Sequence, residues 1–235
     1  MVVVFISDNY LKDLTKRLQE APVNRTPFYY KFRDRSLSDE QLRRFAVQYF
    51  WFCKNFIRVL VGLIYNTPDS EEEVRLELVK TLYSELGYGQ KQGIHLNLLR
   101  KFTAALNISE QELNEAEIIP EVEQYIRELG EIFLKADYRE AIGAEFGVEI
   151  TAATEFTFLY PGVKKYLWFS PEDIVFFKFH LAEEKKHGDW LTEAVSKIVV
   201  KDEDRRLVER GALRAAELWN QFWIGMDRYV FRGEA

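Results

Sequence analysis

The sequence predicts an all-α protein, a helical bundle of about seven or more helices. Three observations lead there: helix-start signals recur along the chain, apolar residues behind them return every three or four positions, and few residues remain for strands. Apolar residues make up 47% of the 235 and aromatics 15%, so a large core can be buried and disorder is excluded. No Pro/Gly/Ser-rich stretch marks a linker and no repeat is present, so residues 1–235 read as one domain.

The opening run Met1-Val-Val-Val-Phe-Ile meets Ser7-Asp8 too soon for a signal peptide or a span, and is expected to pack as an N-terminal arm. A first helix follows near 8–20, with Leu11, Leu14 and Leu18 on one face. Ser38-Asp-Glu-Gln41 has the capping-box form, and Leu42, Phe45, Ala46, Tyr49, Phe50, Cys53, Ile57 and Leu60 keep helical spacing behind it. Trp51 and Phe52 bury that helix on most sides. Ser70-Glu-Glu-Glu73 and Ser109-Glu-Gln-Glu112 have the same form and open helices near 70–86 and 109–117, with another at 93–106 between them. Helices near 120–136 and 138–159 come next, the second broken near Tyr160-Pro-Gly162. Pro171, after Ser170, stands at a first helical position, so a long helix runs from about 171 to 199. The last, about 202–230, stacks Leu207, Leu218, Phe222 and Tyr229 among charges.

A net charge of −6 gives no basic footprint for nucleic acid, and no helix joins a lysine-rich face to an exposed apolar one, so nucleic acid and membrane are excluded as partners. Cys53 is the only cysteine, which rules out an internal disulfide and a cysteine-based zinc site and fits a reducing cytoplasm.

Two of the three histidines, His180 and His187, lie seven residues apart with Glu184 between them. At roughly 100° per residue, offsets of four and seven return to within about 40° of the start, so the three side chains share a face suited to a metal. A core histidine with a solvated Glu184 and His187 would produce the same spacing. Phe176, Phe177 and Phe179 surround the start of this face, where a polar group needs a partner that a metal supplies. Glu149 lies in the apolar run Phe146-Gly-Val-Glu-Ile-Thr-Ala-Ala, where an unpaired carboxylate is costly to bury, unless it is exposed or ion-paired; Glu145 is a spare. His95 follows Glu85 across a break carrying Gly87, Gly89 and Gly93, which lets two ligands converge, although a histidine at a helix start needs no metal.

Three carboxylates and three imidazoles without thiolate suit iron or manganese and argue against structural zinc; two metals sharing carboxylates is the natural stoichiometry. A ferritin-like site would want Glu-x-x-His on two helices, and only Glu184-Lys-Lys-His187 has that form. Tyr29, Tyr49, Phe50, Phe146 and Phe176 are candidates to line a pocket, and each fits a plain core position equally well.

Several segments, in order, resemble the haem-oxygenase-like di-iron oxidases, the superfamily that includes thiaminase-like and pyrroloquinoline-quinone-synthase-like proteins. They resemble most the family of chlamydial proteins associating with death domains: Thr26-Pro-Phe-Tyr-Tyr-Lys-Phe, Leu-Ser-Asp-Glu-Gln-Leu42, Glu85-Leu-Gly-Tyr, His95-Leu-Asn-Leu-Leu, and Pro171-Glu-Asp with Phe-Phe-Lys-Phe-His180. The resemblance implies a haem-oxygenase-like helical bundle with two irons, or an iron–manganese pair, held by Glu85, His95, Glu149, His180, Glu184 and His187. Glu184 stands where that family has aspartate, and Ser84-Glu85 where it has two glutamates followed by a shorter link to the histidine. The implied activity is oxidation of a small molecule or of an own side chain by dioxygen. Tyr29 resembles the tyrosine that family consumes to make para-aminobenzoate, and Leu159 occupies the place of its companion lysine. The implied partners are dioxygen and an unknown small molecule, and the many aromatics leave room for a homodimer interface. Two other readings stay open: a metal-free enzyme on the same fold, for which Cys53 is the only thiol, and a helical partner-binding protein.

Overall fold

The computed structural model describes residues 3–233, with the backbone alone for 3–8 and for residue 185. Among the described residues there are ten α-helices and no strand: α1 Val3–Gln19, α2 Pro27–Asp34, α3 Asp39–Asn66, α4 Glu72–Glu85, α5 His95–Ala105, α6 Glu110–Glu115, α7 Pro120–Lys135, α8 Tyr138–Lys164, α9 Val175–Ile198 and α10 Asp202–Val230. The predicted all-α class is therefore the observed one. The first helix starts at Val3, ahead of the expected start near 8, and the packing of the N-terminal arm lies outside the described residues. The short α2, with Pro27 in its first turn, was not anticipated by periodicity.

Ser38 and Ser109 open α3 and α6 with reciprocal hydrogen bonds to Gln41 and Glu112, as the capping boxes require. Ser70 does not cap α4. The Glu71 amide donates to the Pro68 carbonyl at 3.0 Å, so Ser70 is spent in a turn and Glu71 becomes the cap. Pro171 likewise belongs to a separate turn, in which Ser170 and Asp173 bond reciprocally, and α9 begins only at Val175. Pro161 does not break α8, which runs on to Lys164. Thr157, whose carbonyl the ring displaces, is exposed, while Gly162 packs against the Phe32 ring too tightly for any Cβ, which holds the last turn in place.

The buried α8 is the centre of the molecule, packed against α10, α9, α2 and α7. Its seam with α10 is backbone against backbone: a Cβ on Gly211 would lie 1.9 Å from the Glu140 carbonyl oxygen, and one on Gly143 2.2 Å from that of Val208. On its other side lies α9, which also contacts α4 and α5. Among the described residues α3 alone is long and apolar enough to cross a membrane; half of that stretch is buried against the neighbouring helices, which accounts for its character.

Candidate metal centre

Four helices aim polar side chains into the space between α8 and α9. His180, Glu184 and His187 come from one face of α9, Glu149 from α8, Glu85 is the last residue of α4 and His95 the first of α5. The link from α4 to α5 explains why its two ends meet. Gly87, Tyr88 and Gly89 all adopt positive φ, and Gly87 lies so close to Gly93 that a Cβ would fall 2.3 Å from the Gly93 carbonyl carbon. Folded onto itself, the link brings Glu85 Oε2 within 3.0 Å of His95 Nδ1.

All six predicted ligand candidates come together, in two sets of three. Donor atoms of Glu85, His95 and His180 lie within 4.8 Å of one another, and so do those of Glu149, Glu184 and His187. The sets adjoin, with the His95 ring centroid 4.5 Å from that of His180 and 6.4 Å from that of His187. His187 Nδ1 is 3.3 Å from Glu149 Oε2, and its Nε2 is 3.0 Å from the Ser84 hydroxyl. Glu184 Oε2 and both ring nitrogens of His95 are buried without a hydrogen bond of normal geometry, so the Glu85 contact with His95 is an ion-pair approach and not an aligned bond. Buried polar atoms left so are costly unless a ligand completes them. Mixed oxygen and nitrogen donors with no thiolate suit iron or manganese, so the residues present fit a metal.

The electrostatics agree. Burial opposes ionisation of Glu85, yet His95, with His180 and His187 behind it, holds its carboxyl down at about 2. Burial, with His95 beside it, pushes His180 down to about 3, leaving the neutral imidazole that a metal requires. Burial would lower His187, but Glu149 and Glu85 keep it above its ordinary value. Burial and crowding by Glu149, Glu85 and Glu155 push Glu184 well up, and burial beside Glu149 does the same to Glu145. Carboxylates packed this densely repel one another until cations sit between them.

A cavity of about 60 Å³ opens beside the two sets, lined by the six candidates and by Tyr49, Phe52, Phe56, Glu155, Phe156 and Trp219 among others. Of the pocket residues expected, Tyr49 and Phe176 line it, whereas Phe50 and Phe146 are buried elsewhere. Tyr29 does not line it either: its ring stacks on Phe158 at 5.3 Å and meets Trp223 at 5.0 Å. Cys53 does line it, but burial, with Glu85 and Glu155 nearby, pushes its thiol well up, which disfavours the thiolate form. Sequence reasoning missed Glu155, 1% exposed, although a carboxylate in the apolar run Glu155-Phe-Thr-Phe-Leu159 is the same signal that singled out Glu149.

Known proteins resemble this chain over most of its length. A 4-aminobenzoate synthase from Nitrosomonas europaea is 23% identical over 222 residues, covering 91% of this chain and 89% of its own length. A CADD-like protein of unknown function from Nostoc punctiforme superposes with a TM-score of 0.79 at 19% identity, over 96% of this chain and 99% of that one. A domain with a haem oxygenase-like fold from Shewanella denitrificans does so with a TM-score of 0.68 at 13% identity, over 100% and 93%. At such identities the structural likeness establishes the fold, which is haem-oxygenase-like. Residues 43–220, which hold all six candidate ligands, match the family described as iron-containing redox enzyme, and the chain belongs to that family.

Proposed function

We propose that the protein is a non-haem di-iron oxidase that uses dioxygen to oxidise a small molecule or one of its own side chains. The observation that carries this reading is the adjacency of two buried three-donor sets, Glu85–His95–His180 and Glu149–Glu184–His187. Membership of an iron-containing redox family supports iron as the metal; manganese fits the same donors. When bound, the metal pair supplies electrons to dioxygen and withdraws them from the substrate.

The chain's part is positioning and exclusion of water. His95, His180 and His187 are fixed by packing and serve as anchors, whereas each glutamate can offer one oxygen or two. Phe52, Phe56, Phe156 and Phe176 keep the cavity apolar around them. What is oxidised would be a small molecule that reaches this cavity or a side chain already in its wall. The 4-aminobenzoate synthases among its relatives support the side-chain alternative. The companion lysine of that family has no counterpart at its place: Leu159 there is buried, Lys164 nearby is exposed, and Lys165 is bonded to the Phe32 and Arg35 carbonyls. Oxidation without amination is the reaction we assign.

Ferrous-loaded protein should take up dioxygen, and His180→Ala and His187→Ala should abolish the uptake while the helical signal in circular dichroism stays. No uptake by the loaded wild type, or full uptake by both variants, would remove the assignment.

A further inference from the structure

Glu155 is the buried carboxylate at the cavity that neither donor set uses. It projects from α8 into the cavity lined by the candidate ligands, and neutral groups hold both of its oxygens. The Tyr49 hydroxyl is 2.5 Å from Oε1, and the Trp219 indole N–H donates to Oε2 at 3.2 Å. The Tyr29 hydroxyl, on α2, is buried near the same carboxyl without a hydrogen bond of its own. An indole N–H can only donate, so Oε2 is fixed as an acceptor and Oε1, against Tyr49, is where a proton can come and go.

Tyr49 also lines the cavity, and behind it lies a contiguous set of oxidisable rings. Trp223 is 6.1 Å from Tyr49, 5.0 Å from Tyr29 and 5.3 Å from Trp219, centroid to centroid. A buried phenol loses an electron readily only if its proton has somewhere to go, because a charged ring in an apolar core is costly.

We propose that Tyr49 and Glu155 form a proton-coupled redox pair, in which Tyr49 gives one electron to the oxidised metal pair and its phenolic proton to Glu155 Oε1. The products are a neutral phenoxyl radical and a neutral carboxylic acid, so no charge is left on either group. The pair rests on the metal-centre reading above, since its oxidant is the oxygen-reacted metal pair.

The groups facing Glu155 are Tyr49 and Cys53 from α3, Tyr29 from α2, Tyr125 from α7, Glu184 from α9 and Trp219 from α10, with no cation among them. Burial pushes Glu155 up to about 8 in the metal-free protein, so the accepting carboxylate form builds up as pH rises through that region.

The test is electron paramagnetic resonance on protein grown with ring-deuterated tyrosine, loaded anaerobically with ferrous iron to a measured content, mixed with dioxygen and frozen. A radical whose spectrum narrows with deuteration is expected in the wild type. Tyr49→Phe should lose it, and Glu155→Gln, with the same iron content, should lower its yield on the order of tenfold or more. An unchanged signal in Tyr49→Phe, or full yield in Glu155→Gln, overturns the pair. Dioxygen uptake by iron-loaded wild type without any tyrosine radical overturns it while leaving the metal centre standing. Absence of bound iron removes the metal centre itself, and the pair with it.

Discussion

His180 Nδ1 lies 2.8 Å from the carbonyl oxygen of Phe176, one turn earlier on α9. A carbonyl can only accept, so Nδ1 carries the proton and the neutral ring turns the Nε2 lone pair toward the cavity. Removing the ring should therefore cost the metal far more than the fold. In His180→Ala the iron content is expected to fall by at least one ion per chain, with a stability loss of about 1–2 kcal/mol from the missing hydrogen bond and packing. Elemental analysis and thermal unfolding of the same preparation check both halves. His187→Ala should behave alike at the second set.

Gly87 is where the backbone bears the strain of bringing Glu85 to His95. With φ at +69° and Gly93 in the way, Gly87→Ala is expected to destabilise by roughly 2–4 kcal/mol and to lower iron content at the first set. Gly89→Ala, at φ +79° with only the Tyr83 side chain near, should cost about 1 kcal/mol. Chemical denaturation of both variants gives the comparison, and equal losses would show that the contact with Gly93 does not hold the link.

Glu155 ties the stability of the metal-free protein to pH. Its carboxyl sits near 8 when folded and at the ordinary glutamate value of 4.5 when unfolded, so the folded chain keeps a proton that the unfolded chain gives up. Its contribution is complete below about pH 4.5 and is lost as pH rises toward 8. Glu155→Gln, which imitates the protonated form, should gain on the wild type over that window, by on the order of a few kcal/mol at pH 9. Urea melts of both proteins at pH 5, 7 and 9 measure the gain; a difference that does not change with pH would mean that Glu155 is ionised throughout.

Cys53 should label slowly. Its thiol is pushed well up by burial and by nearby carboxylates, so a thiol reagent at neutral pH should react with native protein at least tenfold more slowly, to an order of magnitude, than with denatured protein. Fast native labelling would instead favour the metal-free thiol enzyme as the reading of this cavity.

The six candidate residues stood out in the sequence because each sits where its chemistry conflicts with its surroundings. His180, Glu184 and His187 share a helix face, Glu149 interrupts an apolar run, and Glu85 and His95 flank a glycine-rich break. Ser38 and Ser109 announced their helices for a similar reason, since the capping bonds are local. Local signals misled where a neighbouring bond outcompeted them: the Pro68–Glu71 turn took Ser70, and the Ser170–Asp173 turn took Pro171. Tertiary contact decided Pro161, because Phe32 against Gly162 keeps the last turn of α8 helical. Glu155 carried the same local signal as Glu149, a carboxylate in an apolar run, but its partners, Tyr49 and Trp219, are 106 and 64 residues away and show only in the fold.

The most direct test of two adjacent metal positions is Mössbauer spectroscopy with quantified iron on protein loaded anaerobically with ferrous ⁵⁷Fe and then exposed to dioxygen. Occupation of both three-donor sets would give two irons per chain and, after oxidation, the diamagnetic ground state of coupled ferric ions. A single iron with uncoupled, paramagnetic ferric spectra, or no tightly held iron at all, would contradict the di-iron centre.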